Sequence, residues 1–154
     1  MLFRSDEVIE EVVRDANFEG AAKGCKVQTV GEARSVVNGN RELLRSAIEN
    51  VLRNAVRYSP SGARVDVAVE RSDTGLSVSI RDQGPGVPAG ELERIFEPFY
   101  RVAESRDRDT GGEGIGLAIT SQVMKAHGGS AKADNRAGGG FEVRLNLPLA
   151  ALSA

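Results

Sequence analysis

One cysteine, one histidine and no tryptophan occur in the 154 residues. With Cys25 alone, an internal disulfide framework and any cysteine-based zinc site are excluded. With His127 alone, a multi-histidine metal centre is excluded as well. Any metal this chain holds must therefore be bound by oxygens. Aromatics are scarce, at five Phe and two Tyr. Charge of one sign is lacking too: 20 Lys and Arg face 22 Asp and Glu, a formal net charge of -2. That balance argues against a dedicated nucleic-acid binder, which carries a basic surplus. No apolar run approaches the roughly 18–20 residues of a membrane span, and the start has no signal-peptide pattern, so the chain as given reads as soluble. At 40% hydrophobic and 27% charged, it can build a core, and its length suits one domain over residues 1–154. Leu2-Phe3-Arg4 run straight into a helical pattern, as a fragment cut from a longer protein would, or equally a naturally short one.

Apolar spacing orders the rest. Val8, Val12, Val13 and Ala16 predict a helix from Ser5 to about Lys23, with Ser5 or Asp6 as cap. Lys26 to Val30 and Ser35 to Val37 read as two short strands around a turn containing Gly31. From Arg41 to Tyr58, Leu43, Leu44, Ala47, Ile48, Val51, Leu52, Ala55 and Val56 mark the clearest amphipathic helix, ended by Ser59-Pro60-Ser61-Gly62. Val65, Val67 and Val69, then Leu76, Val78 and Ile80, alternate with polar residues across the hairpin turn Ser72–Gly75. Gly84 to Gly90 is a Gly/Pro loop, Glu91 to Phe96 a short helix, and Arg101 to Gly112 a charged, mobile loop. Ile115 to His127 is a second strong helix, stopped by Gly128-Gly129. Ser130 to Asp134 and Phe141 to Leu147 close the chain as strands. The pattern is α+β, with helices on one face of a largely antiparallel sheet whose other face meets water.

Chemistry has four possible homes. Asn50, Asn54 and Arg57 lie within roughly 60° of one another on the Arg41–Tyr58 helix. Carboxamide oxygens suit Mg²⁺ and a guanidinium suits phosphate, although a merely solvated helix edge reads the same. Asp82 continues the inward parity of Leu76, Val78 and Ile80, ahead of Gly84-Pro85-Gly86, where missing side chains admit a flat ligand. A plain Asx-turn is the alternative there. Gly111-Gly112-Glu113-Gly114-Ile115-Gly116-Leu117 opens a helix, where bare N–H groups bind phosphate, or it is a hinge. Finally, Arg101, Arg106 and Arg108 on a loop could close on a phosphate, or simply be solvated beside Glu104, Asp107 and Asp109.

The order of these four features resembles the catalytic ATP-binding domain (HATPase_c, or GHKL) of bacterial sensor histidine kinases. The asparagine helix, Asp82-x-Gly84-x-Gly86, Phe96-Glu97-Pro98-Phe99-Tyr100-Arg101 and Gly112-x-Gly114-x-Gly116-Leu117 are similar to its N, G1, F and G2 boxes. The text from Glu49 to Ser59 is similar to that of Cpx-type envelope-stress sensors. The resemblance implies a Bergerat-type two-layer α/β sandwich: a mixed, mostly antiparallel sheet under three helices, with a mobile ATP lid. It implies that Asn54 holds Mg²⁺, that Asn50 supports metal and phosphates, and that Arg57 and Tyr58 approach phosphates and ribose. Asp82 would accept from the adenine amine, with room for the ring at Gly84 and Gly86. Phe96 and Phe99 would anchor the lid. Gly112, Gly114, Gly116 and Leu117 would wrap the triphosphate, with Val87, Tyr100, Arg101 and Ile115 completing the set. Arg106 and Arg108 are the candidates for the γ-phosphate.

The implied reaction moves the γ-phosphoryl group of Mg-ATP to a histidine on a separate dimerisation domain of the same kinase, and then to a response regulator. The implied setting is the cytoplasmic part of an inner-membrane homodimer, the fragment itself being monomeric. Two departures shape this reading. Relatives that hydrolyse ATP, of the gyrase and Hsp90 type, carry a Glu four residues before the metal Asn; here Asn50 stands there, with Glu49 adjacent. A carboxamide cannot act as general base, so hydrolysis should be slow. Where relatives often place an adenine-holding Thr, this chain reads Gly138-Gly139-Gly140-Phe141. His127, before Gly128-Gly129, reads as a helix-end residue, not as the phosphoacceptor. A self-contained ATPase, an anti-sigma-type serine kinase and a degenerate nucleotide sensor are the rival readings.

Overall fold

Alternation of valine with polar residues makes one side of a strand apolar, and in this protein three such strands meet edge to edge. The computed structural model describes residues 1–31, 34–98 and 115–150. In chain order its elements are β1 (Leu2–Arg4), α1 (Ser5–Gly20), β2 (Lys26–Val30), β3 (Val36–Asn38), α2 (Arg41–Tyr58), β4 (Arg64–Arg71), β5 (Gly75–Asp82), α3 (Ile115–Ala126), β6 (Ser130–Asn135) and β7 (Phe141–Pro148). A five-stranded sheet runs β2-β4-β5-β7-β6. Among the described residues only the β2–β4 pair is parallel.

Register places Val67 beside Ile80 and Val69 beside Val78. Ile80 in turn sits beside Val143, and Val78 beside Leu145. These side chains are buried and form one core with Leu44, Val51 and Leu52 of α2, Val8 and Val12 of α1, and Met124 of α3. The opposite sheet face carries polar residues such as Ser77, Asp66 and the ion pair Arg81–Glu142 at 2.7 Å. The mixed α+β sandwich is thus the expected one, with α1, α2 and α3 as its three helices.

Four local expectations need correction. The segments 26–30 and 35–37 do not pair with each other: β2 adds to the sheet beside β4, with Val27 opposite Val65, and β3 pairs with β1, Phe3 opposite Val37, in a separate two-stranded sheet. β1 is three residues long, too short for alternation to show. Neither Ser5 nor Asp6 caps α1; the N-cap is Arg4, without a side-chain cap bond. Ser5 Oγ donates instead to Ser35 O at 3.2 Å, and Asp6 pairs with Arg4 at 2.7 Å. α1 ends at Gly20, followed by a single 3₁₀ turn, Ala21–Lys23. Residues 91–96 are not one helix but lie across two 3₁₀ turns, Ala89–Glu91 and Arg94–Phe96.

Two sets of polar contacts hold the helices in place. Along the α1–α2 seam, Arg45 reaches Asp15 at 2.7 Å, Glu49 at 3.0 Å and Glu11 at 3.3 Å. These groups are partly exposed, so each pair contributes little alone. Between α2 and α3, His127 Nδ1 donates to Val123 O at 2.8 Å, while Nε2 accepts the Asn40 N–H at 3.1 Å. Asn40 itself caps α2, its side chain accepting from the Leu43 N–H at 3.0 Å. The ring therefore ends one helix and steadies the start of another. Replacing it by alanine removes the partner of the Asn40 N–H, while the Val123 carbonyl keeps the backbone N–H of residue 127 at 3.2 Å, so His127→Ala should cost about 1 kcal/mol in urea denaturation. A loss below about 0.5 kcal/mol would show that these bonds do not hold the helices together.

Candidate nucleotide site

Helix α2 offers three faces to three environments. Its apolar stripe enters the core. Glu49 lies on the side toward α1, held by Arg53 at 2.7 Å and Arg45 at 3.0 Å. Asn50 and Asn54, one turn apart, are both half-buried. The C-terminal end is tied down by Lys23, whose Nζ donates to Val56 O at 2.9 Å and Arg57 O at 2.7 Å. Ser59 Oγ donates to Ala55 O at 2.6 Å. Tyr58, half-buried, presents its carbonyl to Gly84, where an added Cβ would come within 2.9 Å. The end of α2 and the turn after β5 are thereby in contact.

Asp82 ends β5 with only 4% of its surface exposed. Its Oδ1 accepts the Gly84 N–H at 2.8 Å. Burial pushes the carboxyl up to about 6, and backbone bonds from Gly84 and Phe141 and the charge of Arg136 oppose the shift only in part. A carboxylate with this little compensation has capacity for a further donor.

The turn beyond is built from pieces that the sequence did not single out. Asn135, ending β6, clamps the Val87 backbone, accepting from its N–H at 2.9 Å and donating to its carbonyl at 2.6 Å. Gly86, at φ +72°, abuts that Asn135 amide, and a Cβ there would collide with it. Arg136 Nη1 donates to Asp82 O at 3.0 Å. Gly140, at φ +110°, packs against the same carbonyl. The glycine run before Phe141 thus lets the β6–β7 hairpin close over the strand end. Neither Asn135 nor Arg136 stands out in the sequence: a place shortly before a glycine-rich turn says nothing of their reach across the fold.

Val87 and Phe96 are half-buried against the core, and Leu117 is buried in the first turn of α3. Ile115 and Gly116 open the same helix. Phe99, Tyr100, Arg101, Arg106, Arg108, Gly112 and Gly114, with the loop from Arg101 to Gly112, lie outside the described residues. Among the described residues no three His, Cys, Asp or Glu side chains gather as a metal cluster. The donor set fits a cation that takes few protein ligands and otherwise phosphate and water oxygens, as Mg²⁺ does.

Comparison with known proteins gives this geometry its class. The family model for histidine kinase-, DNA gyrase B- and HSP90-like ATPases matches residues 39–151. The chain belongs to that family. Within it, the chain is 39% identical over 148 residues to the sensor histidine kinase CpxA of Escherichia coli (strain K12), covering 95% of this chain and 32% of that protein. The mycobacterial sensor histidine kinase MprB superposes with a TM-score of 0.88 at 32% identity, covering 97% of this chain and 98% of that one. The ATP-binding domain of PrrB from Mycobacterium tuberculosis superposes at 0.77 and 28% identity, covering 98% of each. The chain spans about a third of the length of the curated relatives it matches, and that third corresponds to the catalytic ATPase domain of two-component sensor kinases.

Asp82 carries a consequence for stability. The native carboxyl keeps its proton up to pH about 6, whereas an unfolded aspartate releases it near 4. The native state therefore binds more protons between these values, and stability falls as pH rises through that window. Above it, the ionised group costs about 3 kcal/mol by the size of the shift. Asp82→Asn should accordingly be more stable than the parent at pH 8, with the gain shrinking toward pH 4. Parallel melting curves at the two pH values check this; equal curves at pH 8 would mean that Asp82 ionises at no cost.

Proposed function

We propose that this domain binds ATP with Mg²⁺ and donates the γ-phosphoryl group to a histidine on a separate dimerisation domain of the same sensor kinase. The observation that carries the reading is the buried, under-compensated Asp82 beside Gly84 and Gly86, at the end of the helix that bears Asn50, Asn54 and Arg57. Asp82 accepts the exocyclic amine of adenine, and Gly84 and Gly86 leave the ring room. Asn54 holds the cation through its side-chain oxygen, Asn50 supports the same group, and Arg57 and Tyr58 meet phosphate and ribose. Phe96, Phe99, Tyr100 and Arg101 belong to the lid, with Val87 at its base. Gly112, Gly114, Ile115, Gly116 and Leu117 line the triphosphate at the N-terminus of α3, where bare N–H groups favour anions. Arg106 and Arg108 are assigned to the γ-phosphate. The bound Mg²⁺ supplies charge neutralisation between the phosphates.

The nucleophile explains why a carboxamide suffices at Asn50. A neutral imidazole attacks through a nitrogen lone pair: a P–N bond forms, the bond from phosphorus to the bridging oxygen breaks, and ADP leaves. No base among the described residues has to activate that nitrogen. Water would need one, and the neighbouring Glu49 is held on the α1 side by two arginines. His127 does not serve as acceptor, since both ring nitrogens are bonded. It also sits at the start of α2, roughly 20 Å along the helix from Asn54. The acceptor histidine, the dimer contacts, the membrane anchor and the response regulator's docking surface are assigned to other parts of the full-length kinase.

Calorimetric titration with a non-hydrolysable ATP analogue and Mg²⁺ should give saturable binding that Asp82→Ala weakens at least about tenfold, through loss of a charge-assisted hydrogen bond. Circular dichroism of the variant should be unchanged. With ATP and a separately supplied dimerisation domain, label should reach histidine while free phosphate accumulates slowly. No binding by the parent chain would overturn the nucleotide reading. Rapid steady hydrolysis without transfer would favour a self-contained ATPase.

A further inference from the structure

The far end of β5 carries a second recess. Where Asp82 closes the strand at the nucleotide site, Gly75 begins it, roughly 23 Å away at the usual rise per residue. There the hairpin turn between β4 and β5, the segment leading into β3 and the chain beyond β7 border a solvent-open recess of about 570 Å³. That volume lies within the roughly 300–1,000 Å³ of small-molecule sites. Backbone bonds fix its walls: Leu149 N donates to Thr74 O at 3.1 Å, and Ala150 N to Val36 O at 3.0 Å.

Three arginines line it. Arg4 is neutralised by Asp6 at 2.7 Å. Arg71 donates one nitrogen to Arg34 O at 3.1 Å, which ties the end of β4 to the segment before β3. The Arg34 guanidinium makes no hydrogen bond or ion pair among the described residues, although its charge reaches Asp6. Ser35 also lines the cavity. It is 3% exposed, and its Oγ is the one buried side-chain polar atom among the described residues without a hydrogen-bond partner. Buried hydroxyls find partners as a rule; this one is shut off from solvent as it stands, and a turn about its own Cα–Cβ bond is what would bring it to a molecule in the recess.

Charge and polarity narrow the ligand. Arg34 and Arg71 against the lining carboxylate Asp73 leave a single net positive charge, which suits a monoanion and penalises a dianionic phosphate. Val36, Leu149 and Ala150 give the recess an apolar wall. Guanidinium groups pair with carboxylates in a two-pronged geometry. We infer that this cavity binds a small organic carboxylate, its charged head toward Arg34, Arg71 and the Ser35 hydroxyl and its apolar part against Val36 and Leu149. The site is separate from the nucleotide site and stands whether or not that reading holds.

Amide chemical shifts report the test, with the protein titrated at constant ionic strength by acetate, butyrate and inorganic phosphate. Butyrate should shift Ser35, Val36 and Thr74 saturably in the millimolar range, more tightly than acetate, and leave Asp82 and Gly84 unmoved. Arg34→Gln should weaken butyrate about tenfold. Ser35→Ala should weaken it severalfold while leaving the melting temperature unchanged or raised, because the deleted hydroxyl has no partner to lose. Each variant's amide dispersion checks its fold, and Arg34, without bonds among the described residues, is the safer of the two cavity arginines to change. Absence of saturable shifts with butyrate, binding indifferent to Arg34→Gln, or phosphate binding as tightly as butyrate would overturn the assignment.

Discussion

A carboxylate kept out of water with little charge to balance it is the constraint around which this domain is arranged. Asp82 stands at the end of the central antiparallel strand, and every element near it works to hold its surroundings dry. The Gly84 N–H turns back onto it, Tyr58 of α2 closes over the turn, and Gly140 packs onto its backbone carbonyl with Arg136 bonded to the same oxygen. None of these contacts removes the strain of ionising the group. The fold carries that cost at neutral pH, and under the proposed function it leaves an acceptor for an adenine amine, a trade of stability for function.

Helix α2 sets the geometry of the rest. Its spacing of 3.6 residues per turn separates three duties around one axis. The stripe from Leu44 to Val56 builds the core, Arg45 and Glu49 lock onto α1, and Asn50 and Asn54 stand free of both. The separation bears on the proposed chemistry. Glu49 is adjacent in sequence to Asn50, yet its carboxylate is turned away and bound by two arginines, so it is not placed as a base for water beside Asn50 and Asn54. Phosphoryl transfer to an imidazole, which attacks with its own lone pair, loses nothing by that arrangement.

Strand β5 gives the domain two ends with different chemistry. At one end a buried carboxylate and glycines form the candidate nucleotide site; at the other, arginines and Ser35 line a recess with an apolar wall. The sheet between them packs its inner face into one core with the helical layer. The small β1–β3 sheet borders the second end, so the part of the fold least visible in the sequence frames the inferred carboxylate site.

What the sequence determined by itself was the local and the periodic. The alternating valines of β4, the apolar stripe of α2, the inward parity of Asp82 and the glycine-flanked turns are all written in the order of residues, because strand and helix repeat with fixed periods. The ordered motifs were enough to indicate the family. Tertiary structure alone decided whatever depends on residues far apart in the chain. It sent β2 to β4 and β3 to β1 when adjacency suggested that they form a pair. It replaced an expected serine or aspartate cap by a bond from Ser5 to Ser35. It brought Asn135 to Val87, Arg136 to the Asp82 carbonyl and His127 to the start of α2. These contacts leave no periodic trace, since each is a single side chain meeting a backbone group dozens of residues away, and only the closed sheet and its packed helices fix where that backbone lies.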